Sequence, residues 1–151
     1  MNRLVVDASV VVKWFLNEPG SGEARAVVDE PSATLLAPEL VVAEVAQVLW
    51  KQWRRLALES MDAERIIRSL RSAPITLLPA EHLILDAWRL ATATGTTAYD
   101  SLYLAAATLH EALLLTADRS LGQRAVAAGI PVRIVGDSSD RWPTALAEPQ
   151  P

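Results

Sequence analysis

Five short aliphatic runs, each separated from the next by stretches of helical length, constrain this chain more than any other feature. The runs lie at 3–6, 34–36, 75–78, 113–116 and 132–135. Leu4-Val5-Val6 and Leu113-Leu114-Leu115 show no polar alternation, as expected of strands buried on both faces. Between them, the pattern predicts a short helix over 9–16, stopped by Asn17-Glu18-Pro19-Gly20, and another over 21–30. A long helix follows from Pro38 to about Leu56, with proline at the preferred first helical position. Further helices are expected at 60–71, with Ser60 as cap, and at 80–94, 98–111 and 119–128. Strands alternating with helices give an α/β fold, here a three-layer α/β/α sandwich around a central, mostly parallel sheet. One domain over residues 1–135 accounts for this pattern. Residues 136–151, rich in proline and without periodicity, form a loose tail.

Four acids stand out of place in this pattern. Asp7 closes the first strand and Asp118 follows the fourth. Glu44 interrupts an otherwise apolar helix face, and Asp100 lies in the first turn of an Ala/Leu-rich helix. In an open parallel sheet, ligands bind at the carboxyl ends of strands, where the strand order reverses, and Asp7 and Asp118 both occupy such ends. Each acid also has a plainer reading. Asp7 and Asp118 are good helix N-caps, although Ser9 competes with Asp7 for that part. Thr97-Ala98-Tyr99-Asp100 has capping-box spacing, but aspartate is short for the return bond. Glu44 is harder to explain locally. Its neighbours three and four residues away are Leu40, Val41, Gln47 and Val48, so the helix offers it no basic partner.

Brought together, such acids need compensation. Two carboxylates about 4 Å apart repel by roughly 4 kcal/mol at an effective dielectric of 20. Helix N-termini beneath three of them offset about 0.3–1 kcal/mol each, and a divalent cation would offset the remainder. The chain has no cysteine and only two histidines, His82 and His110. This removes disulfides, thiolate chemistry and ordinary zinc sites, and points to Mg²⁺ or Mn²⁺ on oxygen ligands. An all-oxygen cation site suits phosphodiester hydrolysis by a metal-activated water. The net charge of −4 argues against nucleic-acid binding through one large basic surface, while leaving local patches open. Asp7 and Lys13 break the N-terminal apolar stretch, so a secretion signal is not expected. With no apolar segment of membrane-spanning length, the chain reads as soluble, intracellular and cytoplasmic.

The segments Val6-Asp7-Ala8-Ser9, Leu36-Ala37-Pro38-Glu39 with Ala43-Glu44-Val45, Tyr99-Asp100-Ser101-Leu102-Tyr103-Leu104-Ala105, and Leu115-Thr116-Ala117-Asp118-Arg119 resemble the PIN-domain family. More narrowly, they are similar to VapC-type toxins of toxin–antitoxin pairs, and the resemblance covers residues 3–135. It implies an endoribonuclease dependent on Mg²⁺ or Mn²⁺, leaving a 5′-phosphate and a 3′-hydroxyl. Asp7, Glu44, Asp100 and Asp118 would hold the metal, with Ser9 and Thr116 as supporting polar groups. It also implies a homodimer and an antitoxin partner that blocks RNA. The sequence departs from some relatives in having no further acid directly after Asp118.

Two rival classes use similar features. A phosphoryl-transfer domain with an aspartate nucleophile would need a lysine near the phosphoryl group, and only Lys13 and Lys51 exist. A PIN-like binding module without catalysis would not need all four acids. Lys51, Arg54, Arg55, Arg65, Arg68 and Arg71 could form a basic rim for RNA. Alternatively, they complement helix C-termini and nearby acids. Trp50 and Trp53 cannot both face a core with Val45 and Val48, so they are expected at a partner surface.

Overall fold

The computed structural model describes residues 2–136, so the tail expected at 136–151 lies, apart from Gly136, outside the described residues. Five strands, β1 (Asn2–Val6), β2 (Ala33–Pro38), β3 (Ile75–Leu78), β4 (Leu113–Thr116) and β5 (Val132–Ile134), form one sheet in the order β3-β2-β1-β4-β5. Every pairing is parallel. The chain builds outward from β1 to β3, then returns to place β4 on the other side of β1. The reversal therefore falls between β1 and β4, paired through Leu4–Leu113, Val5–Leu114 and Val6–Leu115.

The inner stretches of these two strands, Leu4–Val6 and Leu113–Leu115, are apolar because helices cover both faces. Val5, Val6, Leu114 and Leu115 are fully buried. Burying each such side chain contributes about 1.5–3 kcal/mol. The helices are α1 (Ala8–Val11), α2 (Ser21–Val28), α3 (Leu40–Arg54), α4 (Ser60–Ser69), α5 (Ala80–Thr94), α6 (Ala98–Leu109) and α7 (Arg119–Ala127). Helix α6 packs across β1, β2 and β4, while α5 lies against α6. This explains why residues 101–107 are buried on every side of α6, whereas α5 buries only Leu83 and Ala87 completely. No helix among the described residues is long and apolar enough to cross a membrane.

Several boundaries differ from expectation. The helix expected over 9–16 is one α-turn followed by a 3₁₀ turn, Val12–Trp14. Three consecutive valines, stiff at χ1, favour helix extension poorly, and the chain turns at Pro19-Gly20. Pro38 does not open α3. It ends β2 opposite Leu78, where its missing N–H removes little from the ladder. Glu39 then precedes the helix, and its carboxylate accepts from the Ala80 amide at 2.9 Å, tying the starts of α3 and α5 together. Ser60 does not cap α4. Glu59 occupies that position in extended conformation, and Ser60 is the first helical residue. Helix α3 stops at Arg54, with Leu56 in the left-handed region at φ 58°.

Candidate active site

The turn after β1 and the turn after β4 are laced together by side chains. Asp7 is 5% exposed. Its Oδ1 accepts from the Ser9 hydroxyl at 2.5 Å and from the Val10 amide at 3.3 Å. Its Oδ2 accepts from the Thr116 hydroxyl at 2.6 Å. Both hydroxyls also serve the other turn. Ser9 Oγ accepts from the Ala117 amide at 2.8 Å, and Thr116 Oγ1 accepts from the Asp118 amide at 2.9 Å. Ser9 and Thr116 therefore clamp the two strand ends at the reversal point. Ser9 is not a rival cap: Asp7 caps α1.

Asp118 likewise caps α7, accepting from the Ser120 and Leu121 amides at 2.9 and 3.3 Å. The plain capping reading is thus satisfied at Asp7 and Asp118, and their capping leaves both at the strand ends. At Asp100 the capping box is half formed. Thr97 Oγ1 accepts from the Asp100 amide at 3.1 Å, while the Asp100 carboxylate makes no return bond among the described residues. Glu44 is half-buried on α3 and has neither a hydrogen-bond donor nor an ion pair there.

Electrostatics join all four. Burial pushes the Asp7 carboxyl up to about 6 against its three hydrogen bonds, and the Asp118 charge adds to the push. Burial, then the charges of Asp7 and Asp100, push Glu44 up to about 7. Asp100 is raised by burial and by Asp118, with Arg124 acting in the opposite direction. Each of Asp7, Glu44 and Asp100 is thus raised in part by other acids of the set, which come from the cap after β1, from α3, from α6 and from the cap of α7.

Two residues the sequence did not single out belong beside these acids. Tyr103 is 1% exposed. Its phenol is pushed upward by burial and by the charges of Glu44, Asp7 and Asp100, and its hydroxyl has no side-chain hydrogen-bond partner among the described residues. Its one sequence signal was the three-residue step from Asp100, which puts both on one helix face. Arg124, on α7, is the cation that Asp100 feels; nothing in local spacing pointed to it.

The donor chemistry fits a hard divalent cation: carboxylate oxygens in excess, partly desolvated, with supporting hydroxyls. As placed, no group of three or more His, Cys, Asp or Glu side chains stands ready to hold a metal ion among the described residues. The fit is therefore one of ligand type and charge, with side-chain rotation needed to close around an ion.

The lysine required by a phosphoryl-transfer site is elsewhere. Lys13 is buried in an ion pair with Glu18 at 3.0 Å, and Lys51 is exposed in the last turn of α3. Much of the supposed basic rim is locally partnered: Arg65 with Asp62 and Arg68 with Glu64, each at 3.3 Å, and Arg54 over the Trp50 ring at 5.7 Å. Trp14 packs inward and donates to the Ala24 carbonyl at 2.9 Å, whereas Trp50 and Trp53 are about half exposed.

The PIN domain family model matches residues 4–127. Ribonuclease VapC3 of Pyrobaculum aerophilum is 32% identical over 124 residues, covering 81% of this chain and 94% of that protein. Among solved structures, VapC20 of Mycobacterium tuberculosis, a Sarcin-Ricin loop cleaving toxin, aligns with a TM-score of 0.63 at 15% identity, over 84% of this chain and 95% of that one. A toxin–antitoxin complex from Klebsiella pneumoniae aligns with a TM-score of 0.55 at 16% identity, over 86% and 95%. The order of acids, the parallel sheet with its reversal at β1 and β4, and a match over most of its length agree: the chain belongs to the PIN-domain family, in its VapC branch.

Proposed function

We propose that this chain is an endoribonuclease dependent on Mg²⁺ or Mn²⁺ and the toxin of a toxin–antitoxin pair, acting in the cytoplasm. One observation carries the reading: Ser9 and Thr116 lace the Asp7 and Asp118 turns together at the sheet's reversal point, where the charges of Glu44 and Asp100 also act, with no lysine to neutralise them. The ribonuclease relative at 32% identity supports the choice of RNA as substrate.

Asp7, Glu44, Asp100 and Asp118 would hold the cation. When bound, it supplies Lewis acidity, lowering the pKa of water and stabilising charge on phosphoryl oxygens. Ser9 and Thr116 fix the Asp7 carboxylate in one orientation, so that little reorganisation accompanies the reaction. Half-buried Glu44, held by no other side chain among the described residues, would be free to rotate toward the cation. Attack by water on phosphorus with cleavage of the P–O3′ bond would leave a 5′-phosphate, the departing 3′-oxygen taking up a proton to become a 3′-hydroxyl. Attack by the ribose 2′-hydroxyl commonly uses paired histidines. His82 is exposed on α5 and His110 follows α6, neither within the acidic site.

An antitoxin would be held by the groove between α3 and α4, a cavity of about 340 Å³ lined by Leu49, Trp50, Trp53, Ala63 and Ile67. Exposed tryptophans of this kind anchor protein interfaces. Ile84, Leu85 and Trp88 on α5 are also exposed and would support a homodimer. The test is RNA cleavage by purified protein with Mn²⁺ and with chelator, beside Asp7→Asn. Cleavage that survives either change would refute the reading. Sequencing the product ends would identify the target and the position of the phosphate.

A further inference from the structure

Beside the acids lies a polar cleft of about 290 Å³, between the loop joining α5 to α6 and one face of α7. Thr94 and Thr96 line the loop side. Ser120, Gln123, Arg124 and Ala127 line the other, at intervals that put them on a single helix face. Both walls lead to the site. Thr97 caps α6, whose first turn holds Asp100, and Asp118 caps α7. The cleft lining contains no carboxylate.

Arg124 dominates its chemistry. The side chain is exposed, and one N–H donates to Thr96 Oγ1 at 3.4 Å. Thr96 is 4% exposed and is fixed in turn by the Thr94 hydroxyl at 2.8 Å. A guanidinium has five N–H donors, so a neutral hydroxyl tether orients Arg124 while leaving most donors for a ligand. Several other basic residues are committed to acids, among them Lys13 to Glu18, Arg89 to Asp86 and Arg133 to Glu23. Arg124 has no such partner among the described residues, although its charge reaches Asp100. A single oriented guanidinium among hydroxyls and an amide is the chemistry that binds a phosphate oxygen.

We propose that this cleft binds a backbone phosphate of single-stranded RNA flanking the scissile bond, with Arg124 as its cation and Thr96 as the residue that positions it. This rests on the ribonuclease reading above.

The test uses the full chain carrying Asp7→Asn, so that bound RNA is not cut, and a fluorescent single-stranded RNA of about ten nucleotides without added divalent cation. Adding Arg124→Gln should weaken binding roughly three- to tenfold. It should also lower the slope of log affinity against log salt by about 0.7, the contribution of one phosphate contact on a single strand. Arg124→Lys should restore the slope. Gln123→Glu, which leaves Arg124 in place but adds repulsion, should also weaken binding. An unchanged salt slope in Arg124→Gln overturns the proposal, even if cleavage falls, because a counter-charge serving only Asp100 would behave that way. A parent chain that neither cleaves RNA nor, as Asp7→Asn, binds it would instead sink the ribonuclease reading, and this inference with it.

Discussion

The Thr116 hydroxyl donates to Asp7 Oδ2 at 2.6 Å, joining residues 109 positions apart at the ends of adjacent parallel strands. The same oxygen accepts from the Asp118 amide. One buried hydroxyl thus orients the acid of β1 and shapes the turn that presents the acid of α7. Thr116→Val keeps the side-chain shape and removes both bonds. A hydrogen bond to a charged group contributes about 1.5–3 kcal/mol, so a loss of about that size is expected in chemical denaturation. Thr116→Ser should recover most of it. RNA cleavage should fall with Val and return with Ser.

Replacing acids separates charge from capping. Asp100→Asn removes one member of a repelling set and no capping bond. It should abolish cleavage and raise the melting temperature in chelator by a few degrees, on the scale of about 1 kcal/mol. Asp118→Asn retains a good cap, and the repulsion it relieves is offset by the charge it removes from the α7 N-terminus, so it should be near neutral in stability. Asp118→Ala should instead lose about 1 kcal/mol through the Ser120 and Leu121 amides. A lower melting temperature for Asp100→Asn would mean that the carboxylate stabilises the first turn of α6.

How much of this could be read from the sequence depended on range. Leu4-Val5-Val6 and Leu113-Leu114-Leu115 announced doubly covered strands, and their acidic ends announced the reversal point, because strand burial and strand termination are local properties. Glu44 was legible by what its helix lacked. Pro38 misled, since proline suits the first turn of a helix and the last residue of a strand equally well. Ser9 and Ser60 misled for a related reason. Their suitability as caps is local, but Asp7 and Glu59 already occupied those positions. Arg124 was illegible, and Tyr103 was marked only by its three-residue step from Asp100, because their parts depend on which helices meet across the sheet.

The raised carboxyls give stability an unusual pH dependence. Asp7 goes from its ordinary 3.8 to about 6 and Glu44 from 4.5 to about 7 on folding. The folded chain therefore holds more protons than the unfolded chain between pH about 4 and 7, so this contribution falls as pH rises through that window. In chelator, the melting temperature should decline from about pH 4.5 to about pH 7, and in Asp7→Asn the decline should be shallower. Mn²⁺ should reverse the trend, since it binds the ionised carboxylates. A melting temperature that climbs with pH in chelator would contradict the raised values.

Tyr103 supplies a test in which losing a polar group should stabilise. Its hydroxyl is buried and, among the described residues, without a side-chain partner. The Ala8 backbone acts on the phenol in the lowering direction, opposite to burial. Leaving a buried hydroxyl unsatisfied costs about 1–3 kcal/mol relative to water. Tyr103→Phe deletes the hydroxyl and keeps the ring that fills the space between α6 and β1. In chelator it should therefore melt as high as the parent chain or a few degrees higher. Tyr103→Ala, which empties the same space, should lose about 3–5 kcal/mol. The pair distinguishes two sources of stability at one position, the packing of the ring and the hydration of its oxygen. A drop of more than about 1 kcal/mol in Tyr103→Phe would show that the hydroxyl is satisfied in solution, with Glu44 as the acceptor to examine first because its charge acts most strongly on the phenol. A double-mutant cycle with Glu44→Gln would then measure that bond directly, reading a coupling near zero if the two groups do not meet.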